Sequence, residues 1–167
     1  QINSPKDSIK LGIGMVHQHF MLAENLTVAE NMILGTREKF TELINMKKVN
    51  EEIKKTFAEY NMPLNPEQVV GSLPVGLQQR VEIMKALYKG AQILVLDEPT
   101  AVLTPMEIKE LFQIIKDLTK NGKSVIFISH KLDEVMEVSD RILVLRQGKV
   151  VGEVKTRDTT KTELIKM

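Results

Sequence analysis

Asp97 and Glu98 stand side by side at the end of an unbroken apolar run, Ile93-Leu94-Val95-Leu96, and Pro99 follows at once. A run that short and that apolar reads as a strand buried on both faces, usually in a parallel sheet. Proline cannot continue such a strand, which places both acids at its carboxyl end. In open α/β sheets that edge is where ligands bind. One carboxylate there can hold a hydrated Mg²⁺, and its neighbour can orient an attacking water. The plainer alternative is an Asp-Glu pair that only opens a loop.

The acids need a sheet and helices to hold them, and the flanking sequence predicts both. Ile9 to Val16 reads as a strand, with Gly12 and Gly14 inside it and His17-Gln18-His19 at its end. Residues 1–10 carry no other clear pattern. Thr27-Val28-Ala29-Glu30 is a capping box opening a short helix that Gly35 can close. Asn50 can cap a second helix, with Glu51 and Glu52 suited to its positive end and Pro63 stopping it. Leu77, Val81, Met84 and Tyr88 recur at helical spacing and predict an amphipathic helix over 76–89. After the acids, Thr104-Pro105-Met106-Glu107 joins a capping box to proline at the first helical position. That helix closes at Asn121-Gly122, and Val125 to Ile128 forms another buried strand ending in Ser129-His130. A short helix over 131–139 and a hairpin around Gln147-Gly148 complete the reading. The fold class expected is α/β, with a mostly parallel sheet and a helical insertion at about 24–90. The core remainder is 9–20 and 91–155.

Composition narrows the function. The chain has 167 residues, enough for one domain with a real core. A net charge of +1 and few aromatics argue against nucleic-acid binding. There is no cysteine, hence no disulfide framework and no thiolate metal site. His17 and His19 have the spacing of a His-x-His metal pair, with no third ligand near them in sequence. No apolar run approaches the ~20 residues that cross a bilayer. No signal peptide is visible and the first residue is not Met, so the chain reads as part of something longer.

Four segments, in order, resemble the ATP-binding cassette of ABC transporters, over about residues 9 to 155. Gln18 stands where the family's Q-loop glutamine stands. Leu73-Pro74-Val75-Gly76-Leu77-Gln78-Gln79-Arg80 is similar to the signature Leu-Ser-Gly-Gly-Gln-Gln-Gln-Arg. Asp97 with Glu98 matches the Walker B strand and its glutamate, and His130 matches the switch histidine. Without Glu98 upstream, His130 would be read as a histidine opening a helix. Two departures stand in the signature: Pro74 replaces the serine that would contact phosphate, and Val75 replaces a glycine. Thr104 stands where the family usually has an aspartate that crosses between cassettes. Gly122-Lys123-Ser124 looks like the end of a phosphate-binding loop, but Asp117 falls where the first glycine is needed, and here a helix leads into a strand. The resemblance therefore implies a P-loop NTPase-like fold whose P-loop strand would precede residue 1.

The same resemblance implies an ATPase subunit of an importer, most like the tandem-cassette subunits for simple sugars or nucleosides. ATP and Mg²⁺ are its implied ligands, with Glu98 and His130 catalytic, Asp97 and Gln18 at the metal, and Leu73, Pro74, Val75, Gly76, Leu77 and Gln78 facing the nucleotide. Implied partners are a second cassette, transmembrane permease subunits reached through the Q-loop region and, indirectly, a solute-binding protein, at the cytoplasmic face of the membrane. By itself this stretch is expected to be inactive and to self-associate through unpaired strand edges. A regulatory half-cassette that only binds, and a soluble ABC ATPase outside transport, are the alternatives.

Overall fold

Three parallel strands carry the two acids, the glutamine and the histidine to a common edge. A computed structural model describes residues 2–35 and 44–167; the rest of the expected insertion, 36–43, lies outside the described residues. Strands β1 (Ile13–Val16), β2 (Ile93–Asp97) and β3 (Ser124–Ile128) lie in the order β1-β2-β3. Val16 faces Leu96, and Leu96 faces Phe127.

The short polar start is a correction. Pro5–Lys10 is a helix, α1, because Ser4 caps it through the Asp7 amide and Pro5 occupies its first turn. Gly12, at φ +76°, then turns the chain into β1, so the strand begins at Ile13 rather than Ile9.

The expected double burial of the strands is also corrected. Leu94 and Leu96 are 1% and 0% exposed, whereas Ile93 and Val95 are half-buried. On β3, Ile126 and Ile128 are 52% and 43% exposed. Among the described residues, α4 (Val75–Tyr88) lies on β1 and α5 (Pro105–Lys120) on β3, covering the face that carries Leu94 and Leu96. Val16, Leu94 and Leu96 point into that core with Leu111, Phe112, Ile115 and Leu118 of α5. On the opposite face Met15, Val95 and Ile126 lie in register, with Met15 and Ile126 exposed and Val95 half-buried between them.

The remaining helices follow their caps. Thr27 and Glu30 form the reciprocal box of α2 (Val28–Ile33), and Thr104 and Glu107 that of α5. Helix α3 (Met46–Glu59) starts four residues before the Asn50 expected to cap it, because Asn45 accepts from the Lys48 amide. Asn50 lies inside the helix and donates to Glu67 instead. Asn61, at φ +52°, turns the chain away beyond the helix end, ahead of Pro63. Helix α4 is less amphipathic than its spacing predicts. It buries Gln79, Glu82 and Ile83 as well as Val81 and Met84, being packed by α2, α3 and β1 at once. Helix α6 (Leu132–Val138) leads into the antiparallel hairpin β4 (Arg141–Arg146) and β5 (Lys149–Lys155). Gln147 and Gly148 both have positive φ, the requirement of a tight I′ turn. A last helix, α7 (Lys161–Lys166), carries its own Thr160–Glu163 capping box.

Candidate active site

Each strand ends in a residue able to do chemistry, and the register puts those ends together. Gln18 leaves β1 two residues past the Val16–Leu96 pair, Asp97 closes β2, and Asp97 pairs with Ile128 two residues before His130. Glu98 is the first residue off the sheet. Its amide donates to the Ile128 carbonyl at 2.9 Å, and its backbone takes φ +45°, a conformation costly for a side chain of this size. The turn aims the carboxylate at β3. Oε1 accepts from the His130 amide at 3.1 Å and lies 2.8 Å from the ring Nδ1. Oε2 is buried and has no protein partner. The histidine side chain is 78% exposed against 19% for the glutamate, so a solvent-facing imidazole is anchored to a covered carboxylate.

The loop behind Glu98 is held from two sides. From α4, buried Gln79 donates to the Pro99 carbonyl. From α6, Glu134 accepts the Thr100 hydroxyl at 2.5 Å, and Lys131 reaches the Thr100 carbonyl and hydroxyl while pairing with Glu134 at 3.1 Å. Thr100 is 1% exposed, so its bond to Glu134 is shielded from water, while the Lys131 side chain stays partly exposed. Gln79, Thr100, Lys131 and Glu134 escaped the sequence reading. Gln79 lay inside the signature-like stretch, but partners 20 and 34 residues away leave no local signal.

Gln18 opens the segment that joins β1 to α2, and α4 clamps that segment at Met21. Glu82 Oε1 accepts the Met21 amide at 3.1 Å, and Lys85 donates to the Met21 carbonyl at 3.0 Å. Burial pushes the Glu82 carboxyl above its usual range, against the pull of Lys85, the Met21 amide, His17 and Lys89. Asn31, wholly buried, exchanges hydrogen bonds with the Ala23 backbone further along. An open cleft of about 290 Å³ is lined by Gln18, His19 and Phe20 on one side and by Val75, Gln78 and Val102 on the other.

The segment 73–78 starts α4. Leu73 is buried, Pro74 occupies the N-cap with no side chain accepting from the helix, and Val75 is 40% exposed. Gly76 is buried and its amide donates to Glu107 Oε1 at 3.2 Å. Gln78 folds back onto the Leu73 carbonyl at 2.9 Å. The structure thus forms two groups, the Glu98–His130 pair next to Asp97 and the cleft joining Gln18 to Val75 and Gln78. Among the described residues no cluster of three or more His, Cys, Asp or Glu side chains forms a metal cage.

Comparison with known proteins gives the family. Residues 2–101 match the model of a family described as ABC transporter. The chain is 52% identical over 163 residues to the guanosine import ATP-binding protein NupO of Bacillus subtilis, covering 98% of the chain and 32% of that protein. It is 49% identical over 166 residues to the nucleoside import ATP-binding protein NupA of Lactococcus lactis, covering 99% of the chain and 33% of that protein. A ribose import ATP-binding protein of Rubrobacter xylanophilus is 40% identical over 167 residues, 100% of the chain and 34% of that relative. The chain thus spans about a third of the length of these relatives. Among solved structures, an ATP-binding cassette of an ABC transporter in its ADP conformation superposes with a TM-score of 0.77 at 23% identity, over 98% of this chain and 66% of that one. At that identity the superposition speaks for the fold, a P-loop NTPase-like cassette. This chain belongs to the ABC transporter family.

Proposed function

We propose that the chain is the Walker B, signature and switch portion of an ATP-hydrolysing cassette in an importer for nucleosides or simple sugars. The observation that carries this reading is the Glu98–His130 pair beside Asp97 at the carboxyl edge of a parallel sheet. Relatives named for guanosine, nucleoside and ribose import support the solute class.

The residues fit the ligands in part. Asp97, Glu98 and the Gln18 amide oxygen are hard donors of the kind Mg²⁺ takes, and the covered Glu98 Oε2 has spare acceptor capacity for a water. Among the described residues no glycine-rich loop ending in Lys-Ser or Lys-Thr stands at this edge, so the cradle for the phosphates is not supplied here. When bound, the metal would neutralise charge on the phosphate oxygens.

The chain's own residues do the rest. Asp97 and Gln18 would hold the metal and its water at the strand ends. Glu98 accepts a hydrogen bond from the attacking water and orients it. His130, fixed through Nδ1 by Glu98, presents the far side of its ring to solvent, where a terminal phosphate oxygen would lie. Gln79 and the Thr100–Glu134–Lys131 network keep the 98–100 turn from relaxing. Residues 73–78 face a second cassette, with Pro74 lacking the hydroxyl for its phosphate. The 17–22 segment, clamped at Met21, is the part that would feel a permease and, through it, a solute-binding protein, at the cytoplasmic face of the membrane. No helix among the described residues is long and apolar enough to cross a bilayer.

In the full-length protein Glu98→Gln is expected to keep MgATP binding and to lower turnover by about 10²–10⁴-fold, the usual loss for a positioned general base. Steady-state hydrolysis with parallel calorimetry decides it, and turnover near wild type would reject the assignment.

A further inference from the structure

A capping box normally occupies one carboxylate on one helix, but Glu107 serves two. Its Oε2 accepts the Thr104 amide and the Thr104 hydroxyl, both at 2.8 Å, which is the cap of its own helix α5. Its Oε1 accepts the amide of Gly76, 31 positions away at the start of α4. Helix α4 needs that acceptor, because Pro74 offers no side-chain cap. Of the other first-turn amides, Leu77 and Gln78 both donate to the Pro74 carbonyl, at 2.9 and 3.0 Å. The positive ends of two helices, of 14 and 16 residues, therefore converge on one carboxylate. Contact is close enough that a Cβ at position 76 would lie 2.5 Å from Oε1, so a side chain there would push this carboxylate aside. Farther along the same interface Arg80 pairs with Glu110 and keeps the two helices in register.

We propose that Glu107 is a positioning residue that ties the start of the signature helix to α5 and fills the Gly76 amide with the protein's own anion. A phosphate presented to residues 73–78 has to displace a carboxylate already held by two helix ends. Like charge opposes the exchange, and Pro74 supplies no hydroxyl to help it. The signature end of this cassette then moves with α5 and discriminates against phosphate. This rests on reading residues 73–78 as a phosphate-facing segment. The test reads amide signals rather than turnover, so it fails or succeeds apart from the hydrolysis proposal.

The experiment is amide-resolved NMR on the full-length protein, selectively labelled at glycine and threonine, first across acid pH and then with added inorganic phosphate. The other charged groups facing Glu107 are Arg80 and Glu110, which pair with each other. The amides of Gly76 and Thr104 should follow a single shared titration, and Glu107→Gln should abolish it at both. Gly76→Ala, which pushes the carboxylate off α4, should leave the Thr104 titration in place. Phosphate should move the Gly76 amide of Glu107→Gln at a concentration at least about tenfold lower than in wild type, as expected for losing one charged competitor. A Gly76 amide that stays flat while Thr104 titrates would reduce Glu107 to the cap of α5 alone. An equal phosphate response in both proteins, or none in the variant, would overturn the exclusion. If Glu107→Gln does not fold, the wild-type titration and Gly76→Ala still decide.

Discussion

Glu82, 5% exposed under the loop that follows β1, is a carboxylate the fold holds against its own burial. Its folded pKa is raised above the unfolded value, so the native state binds that proton more tightly. Stability attributable to Glu82 therefore falls as pH rises from the ordinary glutamate value through the raised one. Glu82→Gln keeps an acceptor for the Met21 amide and should flatten that slope, measured by denaturant midpoints between about pH 4.5 and 7. An unchanged slope would place the shift elsewhere. The capping glutamates Glu30, Glu107 and Glu163 act in the opposite sense. Bonds to Thr27, Thr104 and Thr160 hold their carboxyls below the usual range, so stability is lost as pH falls below the ordinary glutamate value.

Elements in this protein are set by neighbours as often as by their own sequence, and Gly14 on β1 shows the limit. A Cβ there would lie 2.9 Å from those of both Ala86 on α4 and Ala91, so the signature helix can lie on the sheet only over a glycine. Gly14→Ala should cost about 1–3 kcal/mol by overpacking, read from thermal or denaturant unfolding. Gly90, with open space around it but φ +87°, should lose less with alanine, through backbone strain alone. The reverse order would mean that α4 packs less tightly than the contact requires. The same distinction decides what could be read in advance. Both capping boxes at Thr27 and Thr104, the Gln147-Gly148 turn and the acids at the strand end were legible because each is settled within four or five residues. The helix over Pro5–Lys10 was missed although Ser4 and Pro5 announced it, since the apolar residues after it suggested a strand. Asn50, with two glutamates after it, reads as the cap of α3, but the Asn45 side chain on the Lys48 amide starts the helix instead. The strands' bare face, Gln79 on Pro99 and Glu107 on Gly76 depend on partners far away in sequence, so no window along the chain contains them.

At the scale of the molecule the three-stranded sheet has one dressed face and one bare one. Met15, Ile126 and Ile128 are exposed there, and among the described strands β3 pairs on one edge alone. An apolar, unpaired edge is a template for another chain. The 167-residue chain in isolation is expected to self-associate at micromolar concentration, with Ile126→Lys weakening the association by charging the middle of that edge. Light scattering that finds a clean monomer across this range would contradict it. On the proposed reading the described residues hold the water-orienting and metal-facing side of the edge and no phosphate cradle. By itself the chain should therefore bind MgATP no better than millimolar, about −4 kcal/mol.

The central claim is that Glu98 and His130 work as one unit, the carboxylate orienting water and fixing the ring that meets the phosphate. A double-mutant cycle in the full-length protein measures this most directly: hydrolysis rates of wild type, Glu98→Gln, His130→Ala and the double variant, with MgATP affinity followed in each. Groups that act together are non-additive. The account predicts that each single change lowers turnover by about 10²–10⁴-fold with affinity kept, and that the double variant is no slower than the worse single one. Losses that multiply, or a His130→Ala protein that hydrolyses at the wild-type rate, would contradict it.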